Sequence, residues 1–325
     1  MKNYISISDI DNLQELIAEA LQLKKENTAA EFGKGKTLGM LFFNPSLRTR
    51  LSTEKAAKLL GMDVMVMNAD KDGWALEFED GVIMNQDKAE HIREAAAVLS
   101  QYCDIIAVRA FPGLKDREKD KEEIVINSFK KFASVPVINL ESANGHPLQG
   151  LTDAITITEL QQVKRPKVVL TWAPHPRALP QSVPTSFVEF MQNIDVDLVI
   201  TNPEGYNLDP AILKGTPVIH DQEEALINAD FVYVKNWSSY DDYGKILNED
   251  KNWTFSNNKL EKTNNARVMH CLPVRRNVVI NDEVLDSGNS IVIQQANNRT
   301  YAAQAVLKRL LSHPPEGGVS QVKSD

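Results

Sequence analysis

The chain has only two cysteines, Cys103 and Cys271, in 325 residues. Two thiols cannot supply the disulfide framework of a small secreted domain, and the setting they fit is a reducing one, the cytoplasm. No apolar run approaches the roughly 18 residues that would suggest a membrane span. The opening residues, Met1-Lys2-Asn3-Tyr4-Ile5-Ser6, offer neither the apolar core nor the small-residue cleavage site of an export signal. Internal repeats and low-complexity segments are missing too. So is any excess of positive charge: 44 acidic residues outnumber 36 lysines and arginines, for a formal net charge of −8. That argues against nucleic acid or an anionic membrane as partner. It leaves room for a small anionic substrate, because a local arginine cluster dominates within a Debye length of about 10 Å. Glycine-rich phosphate loops are lacking as well. Gly33-Lys34-Gly35-Lys36-Thr37 resembles the end of one, but Ala30 stands where the first glycine is needed, and the stretch precedes the first strand instead of following it. A nucleotide-binding oxidoreductase or kinase is therefore the weaker reading.

What is present is the composition of a globular chain, 42% hydrophobic and 25% charged, long enough for about two domains. Residues 9–26 have helical periodicity through Leu13, Leu16, Ile17, Ala20 and Leu21, with Ser8 or Asp9 placed to cap the start. Short apolar runs of buried-strand type follow at 37–43, 64–67, 105–108, 135–140, 168–172, 196–201, 231–234, 266–269 and 290–293. Helical patterns lie between most of them, at 47–60, 89–101, 119–132, 150–163, 182–193, 221–228, 280–286 and 297–312. This alternation predicts an α/β fold of two doubly wound parallel-sheet domains joined by helices, with a break near 145–152 and a site at the carboxyl ends of the strands. Two long irregular stretches, 68–88 and 236–256, are candidates for functional loops.

Four segments at strand ends carry chemistry. Asn44-Pro45-Ser46-Leu47-Arg48-Thr49-Arg50 brings hydroxyls and two arginines to the start of a helix, whose free N–H groups and dipole favour an anion. A capped helix with surface arginines is the plainer alternative. Val108-Arg109-Ala110-Phe111-Pro112 places an arginine at a strand end. Asn144-Gly145-His146-Pro147-Leu148-Gln149 places His146 and Gln149 at another. His270-Cys271-Leu272-Pro273-Val274-Arg275-Arg276-Asn277 follows a third. Cys271 lacks a base at any recognised spacing, so a merely buried cysteine is the more economical reading than a nucleophile.

With Gln295-Ala296-Asn297-Asn298-Arg299, these segments resemble, in order and spacing from about residue 37 to residue 312, the transcarbamylase (aspartate/ornithine carbamoyltransferase) family. The matching motifs are Ser-x-Arg-Thr-Arg at 46–50, His-Pro-x-Gln at 146–149, His-Cys-Leu-Pro at 270–273 and Gln-Ala-x-Asn-Arg at 295–299. The resemblance implies a homotrimer of two-domain subunits. Residues 1–147 would bind carbamoyl phosphate and residues 148–296 the amino acid. The last helix, 297–312, would pack back on the first domain, and 313–325 would form a flexible tail. Ser46, Leu47, Arg48 and Thr49 would hold the phosphate, and Trp74 would reach in from the neighbouring subunit. Arg109 and His146 would contact the carbamoyl oxygen. Gln149, the carbonyls of Cys271 and Leu272, and Arg299 would complete the pocket, with Leu272-Pro273 often a cis bond in this family. No metal, cofactor or covalent intermediate is implied. Oxyanion charge would be met by Arg109, His146 and Thr49.

The acceptor segment departs from the ornithine enzymes. Val234-Lys235-Asn236-Trp237-Ser238-Ser239-Tyr240 stands where those carry an aspartate and a Ser-Met-Gly segment. Together with Thr171-Trp172-Ala173-Pro174-His175-Pro176, it resembles the branch acting on Nα-acylated ornithines in arginine biosynthesis. In that branch Glu141, His175 and Lys235 would bind the acylated amino acid. Glu90, in a loop reaching the neighbouring subunit's acyl end, would repel a succinyl carboxylate and so favour acetyl, although the chain as a whole is more similar to the succinyl-type lineage. Free ornithine, or a catalytically silent ligand-binding relative, remain as alternatives.

Overall fold

The computed structural model describes residues 1–26, 31–69 and 71–312; the expected tail at 313–325 lies outside them. In chain order the strands are β1 (Thr37–Phe42), β2 (Asp63–Asn68), β3 (Leu76–Glu77), β4 (Glu90–His91), β5 (Ile105–Arg109), β6 (Val137–Glu141), β7 (Lys167–Trp172), β8 (Asp197–Thr201), β9 (Val218–Ile219), β10 (Phe231–Lys235) and β11 (Arg267–Met269). The helices are α1 (Leu13–Glu26), α2 (Arg48–Leu59), α3 (Ile92–Tyr102), α4 (Arg117–Lys121), α5 (Ile124–Phe132), α6 (Pro147–Leu160), α7 (Ser182–Met191), α8 (Pro210–Leu213), α9 (Gln222–Leu226), α10 (Asn257–Leu260), α11 (Asp282–Leu285) and α12 (Val292–Ser312).

Two parallel sheets result, ordered β2-β1-β5-β6 and β11-β10-β7-β8-β9. Helices cover both faces, which is why the central strands read as unbroken apolar runs. In β1 every residue after Thr37 is buried, as is all of β5, β6 and β10. β2, at a sheet edge, shows exposed positions at Asp63 and Met65 instead. Each sheet starts in its middle and winds outward in both directions, so each has one switch point. The first lies between β1 and β5, the second between β7 and β10. At such a point the loops leaving two neighbouring strands diverge and open a crevice at the carboxyl ends.

The crossover helix α6 occupies the place where a break near 145–152 was expected. Pro147 fills its first position, where a missing N–H costs nothing, and every residue from Pro147 to Ile157 is buried. Gly150 lets α7 approach. A Cβ there would stand 2.5 Å from Phe190 Cδ2 and 2.9 Å from the Ser186 carbonyl. α12 begins at Val292, five residues before its expected start, and packs on α1, α2 and α6. The strand expected at 290–293 is reduced to a single bridge, Ser290 to Val268. The helix expected over 119–132 is two helices, because Glu123 adopts a left-handed conformation (φ 45°). That break lets Glu123 Oε1 accept from the Asn144 backbone at 2.7 Å and brace the loop before His146. β3, β4, β9, α8 and α10 are too short to leave a periodic trace in the sequence.

The stretch 236–256 bridges the two halves. Tyr240 packs under the cations of Arg117 and Lys121 and accepts from Lys121 Nζ at 2.7 Å, while Tyr243 donates to Asp120 at 2.9 Å. No helix among the described residues is long and apolar enough to cross a membrane.

Candidate active site

The two switch points face each other across one cavity of about 1210 Å³. From the first sheet come the turn after β1 with the start of α2, and Arg109 at the end of β5. From the second come His175 after β7 and Lys235 at the end of β10. α6 and its N-cap supply Gln149 and His146, α12 supplies Arg299, and the turn after β11 supplies residues 270–273 and Arg275. Ser46, Leu47, Arg48, Thr49, Arg109, Glu141, His146, Gln149, His175, Lys235, Cys271, Leu272 and Arg299 all line the wall.

Their mutual contacts form one network. Thr49 Oγ1 accepts from Arg299 Nη2 at 2.6 Å and from Arg109 Nη1 at 3.3 Å. Arg109 Nη1 donates to Glu141 Oε2 at 2.6 Å, and Ser182 Oγ holds the other oxygen, Oε1, at 3.0 Å. Arg299 Nη1 also donates to Gln149 Oε1. The α2 N-terminus adds backbone N–H groups, since Leu47 provides no side-chain cap. The Leu272-Pro273 bond is cis. Phe111 N–H donates to Asn44 Oδ1 at 2.6 Å and ties the β1 and β5 ends together.

Charge in this cavity opposes that of the chain. Among the described residues, Arg48, Arg50, Lys71, Arg109, Arg177, Lys235, Arg275 and Arg299 line it, against a single carboxylate, Glu141. Arg48 Nε, Arg109 Nε and His146 Nδ1 are buried without a hydrogen-bond partner among the described residues. Buried polar atoms of this kind call for a ligand rich in oxygen. Burial first, then Arg299 and Arg109, hold the His146 pKa well below the usual imidazole value, so the ring is neutral. Its 3.5 Å approach to Glu141 is then not an ion pair. Burial also lowers Lys235, against the opposing pull of Cys271 and Glu141.

Burial raises the Cys271 thiol, which keeps it protonated and a poor nucleophile. Cys271→Ala is accordingly expected to keep turning over, measured as initial rate at saturating substrates; a covalent route would need a loss on the order of 10⁶-fold.

Trp74 and Glu90 do not line this cavity. Trp74, 61% exposed, donates its indole N–H to Glu90 Oε2 at 2.7 Å at the β3–β4 pair. Three cationic residues of the wall, Lys71, Arg177 and Arg275, were not assigned a role from the sequence. Arg275 Nε donates to His175 Nε2 at 3.1 Å, and His175 Nδ1 lies 2.9 Å from the Arg177 carbonyl and 3.1 Å from the Arg177 backbone N–H. The unusual density of arginines in 270–277 was the one available signal for Arg275.

Two family models match the chain: the carbamoyl-phosphate-binding domain of aspartate/ornithine carbamoyltransferases over residues 2–159, and their Asp/Orn-binding domain over residues 180–310. The chain belongs to the aspartate/ornithine carbamoyltransferase family. It is 51% identical to the N-succinylornithine carbamoyltransferase of Bacteroides fragilis (strain 638R), over 97% of this chain and 100% of that one. It is 36% identical to the N-acetylornithine carbamoyltransferase of Xanthomonas axonopodis pv. citri (strain 306), over 96% and 97%. Among solved structures, a mutant of N-acetyl-L-ornithine transcarbamylase complexed with carbamyl phosphate and N-succinyl-L-norvaline aligns with a TM-score of 0.90 at 35% identity, over 95% of this chain and 100% of that one. As a carbamoyltransferase, the chain needs a polar cradle for a phosphorylated donor and a separate position for a nucleophilic amine. The two facing switch points offer one of each.

Proposed function

We propose that this carbamoyltransferase moves the carbamoyl group of carbamoyl phosphate to the side-chain amine of an Nα-acylated ornithine, N-succinylornithine foremost, giving N-acylcitrulline and phosphate. The observation that carries the proposal is the cavity charge: eight cationic residues against one carboxylate among the described residues. A carbamoyl phosphate dianion and the α-carboxylate of the acceptor do not use all of it, and a succinyl group brings a further carboxylate. Arg177 and Arg275 have no carboxylate within salt-bridge distance among the described residues and lie beside His175 on the acceptor side. The 51% identity to a relative named for N-succinylornithine supports the same choice.

In this reading Ser46, Leu47, Arg48, Thr49 and Arg299 hold the phosphate. Arg109 and His146 meet the carbamoyl oxygen, and Gln149 with the Cys271 and Leu272 carbonyls orients the carbamoyl nitrogen. Glu141, His175 and Lys235 receive the acylated amino acid. A neutral amine attacks the carbamoyl carbon, and negative charge grows on the carbamoyl oxygen between Arg109, His146 and Thr49. The carbon–oxygen bond to phosphate then breaks, and the phosphate takes the amine proton as it leaves. The lowered His146 pKa suits this, since the neutral ring adds a dipole and its weakened basicity leaves that proton to the phosphate.

Trp74 and Glu90, outside their own subunit's cavity, are proposed to complete a neighbour's cavity in a homotrimer. Exposed apolar side chains in the same loop, Val82, Ile83 and Met84, and at Leu47 and Leu51 near the cavity mouth, give such an assembly surface to bury. A solution mass three times the 36.3 kDa of one chain is expected. The two free thiols fit a cytoplasmic setting. Glu90 Oε2 accepts from the Trp74 indole N–H. Glu90→Ala is expected to raise kcat/KM for N-succinylornithine relative to N-acetylornithine; an unchanged ratio removes Glu90 from acyl selection.

A further inference from the structure

Asp153 lies one turn beyond Gln149 on α6, fully buried, and takes no part in the chemistry described above. Its Oδ1 accepts from Gln149 Nε2 and from Gln295 Nε2, each at 2.7 Å. Both glutamines turn their oxygens the other way. Gln149 Oε1 accepts from Arg299 Nη1, and Gln295 Oε1 accepts from the His270 backbone N–H at 2.9 Å. His270 Nδ1 in turn accepts from the Leu272 N–H at 2.8 Å. One carboxylate oxygen on α6 is thus the common origin of two hydrogen-bond relays. The first ends on the guanidinium that also donates to Thr49. The second ends on the backbone of the turn after β11. A primary amide has one donor end and one acceptor end, so an acceptor at the origin decides which way each amide faces.

We propose that Asp153 is a positioning residue for carbamoyl transfer: its Oδ1 sets the orientation of the Gln149 and Gln295 amides, and through them the Arg299 guanidinium and the 270–272 backbone. The inference rests on the carbamoyl-transfer reading of the cavity. What positions is the accepting oxygen, not the charge. Burial raises the Asp153 carboxyl to about 7, and its second oxygen, Oδ2, is buried beside Tyr233 without a hydrogen-bond partner among the described residues. A proton taken at Oδ2 leaves Oδ1 accepting from both amides. Asparagine keeps such an oxygen in the same place, whereas leucine, of similar size, has none.

The test is steady-state kinetics of the full-length protein, Asp153→Asn and Asp153→Leu, with carbamoyl phosphate and the acceptor the unmodified protein prefers. Asp153→Asn is expected within about threefold of the unmodified protein in kcat and both KM values. Asp153→Leu, folded by its cooperative unfolding transition, is expected to raise KM for carbamoyl phosphate by about tenfold and to lower kcat by at least as much, because two amides lose the acceptor that orients them. Unchanged kinetics in Asp153→Leu, or Asp153→Asn as impaired as Asp153→Leu, overturns the proposal. Gln295→Leu gives an independent reading should Asp153→Leu not fold. It cuts only the second relay, so kcat is expected to fall about tenfold with KM for carbamoyl phosphate within about twofold; unchanged kcat there overturns the proposal equally. An unmodified protein without carbamoyl transfer refutes the reading beneath the proposal, which is a different result.

Discussion

Arg109→Met is expected to lower kcat by about 10²–10³-fold, the range for removing one preorganised donor from a developing oxyanion. Arg109 stands at the end of β5 with its guanidinium buried, touching Thr49 and Glu141 and stacked 4.3 Å over the Phe111 ring. Methionine keeps the volume and removes the donors. The same change strands Glu141, which keeps Ser182 Oγ at 3.0 Å and a neutral His146 at 3.5 Å. Breaking a buried pair on one side costs about 3–5 kcal/mol of stability. The two losses separate in the double variant Arg109→Met with Glu141→Gln, where the uncompensated charge is gone. Stability by denaturant unfolding is expected to return toward that of the unmodified protein, while kcat stays low. Recovery of kcat in the double variant would mean that Arg109 acts through the fold alone.

Lys235→Met has its largest expected effect on the acceptor. Lys235 is buried at the end of β10, and its ammonium donates to the Asn236 carbonyl at 2.8 Å. Losing one member of a buried charge pair with the acceptor carboxylate costs about 2–5 kcal/mol, which is about 30-fold to several thousand-fold in kcat/KM for the acceptor. KM for carbamoyl phosphate is expected to change little, because the Ser46–Thr49 turn and Arg299 are untouched. Stability should move the opposite way. Burial already disfavours the charged lysine, so methionine removes a desolvation cost and the apparent Tm is expected to rise. Raised stability with lost acceptor affinity marks a residue kept for binding.

The parts of this molecule legible from the sequence were those where local and global constraints coincide. β1, β5, β7 and β10 are central strands, and their unbroken apolar runs show it. The Ser46–Arg50 turn follows β1, His146 opens α6 and the 270–273 turn follows β11, so they fall at the carboxyl edge once the sheets are parallel. The strand expected at 290–293 failed for a physical reason. Val268 N–H donates to the Asn289 carbonyl at 2.8 Å and Ile291 N–H to the Val268 carbonyl at 2.9 Å, so this stretch pairs like a strand for one step before Val292 starts α12. A short β-branched run cannot declare which of two hydrogen-bonding patterns it will join. The split at Glu123 was hidden because the partner it reaches, the Asn144 backbone, lies 21 residues away. Arg177 and Arg275 were passed over because a surface arginine and a cavity arginine look alike until β7 and β11 are placed side by side around β10. Asp153 was read as part of a helix pattern, and only the packing of α12 on α6 brings Gln295 to it.

The acceptor decides the account most directly. The measurement is citrulline-type product formation from carbamoyl phosphate with N-succinylornithine, N-acetylornithine and free ornithine in parallel, compared as kcat/KM. N-succinylornithine is expected to give the highest value and free ornithine the lowest. Highest activity on free ornithine, with neither acylated acceptor turned over, would contradict the assignment of the Lys235, His175 and Arg275 side of the cavity to an acylated amino acid.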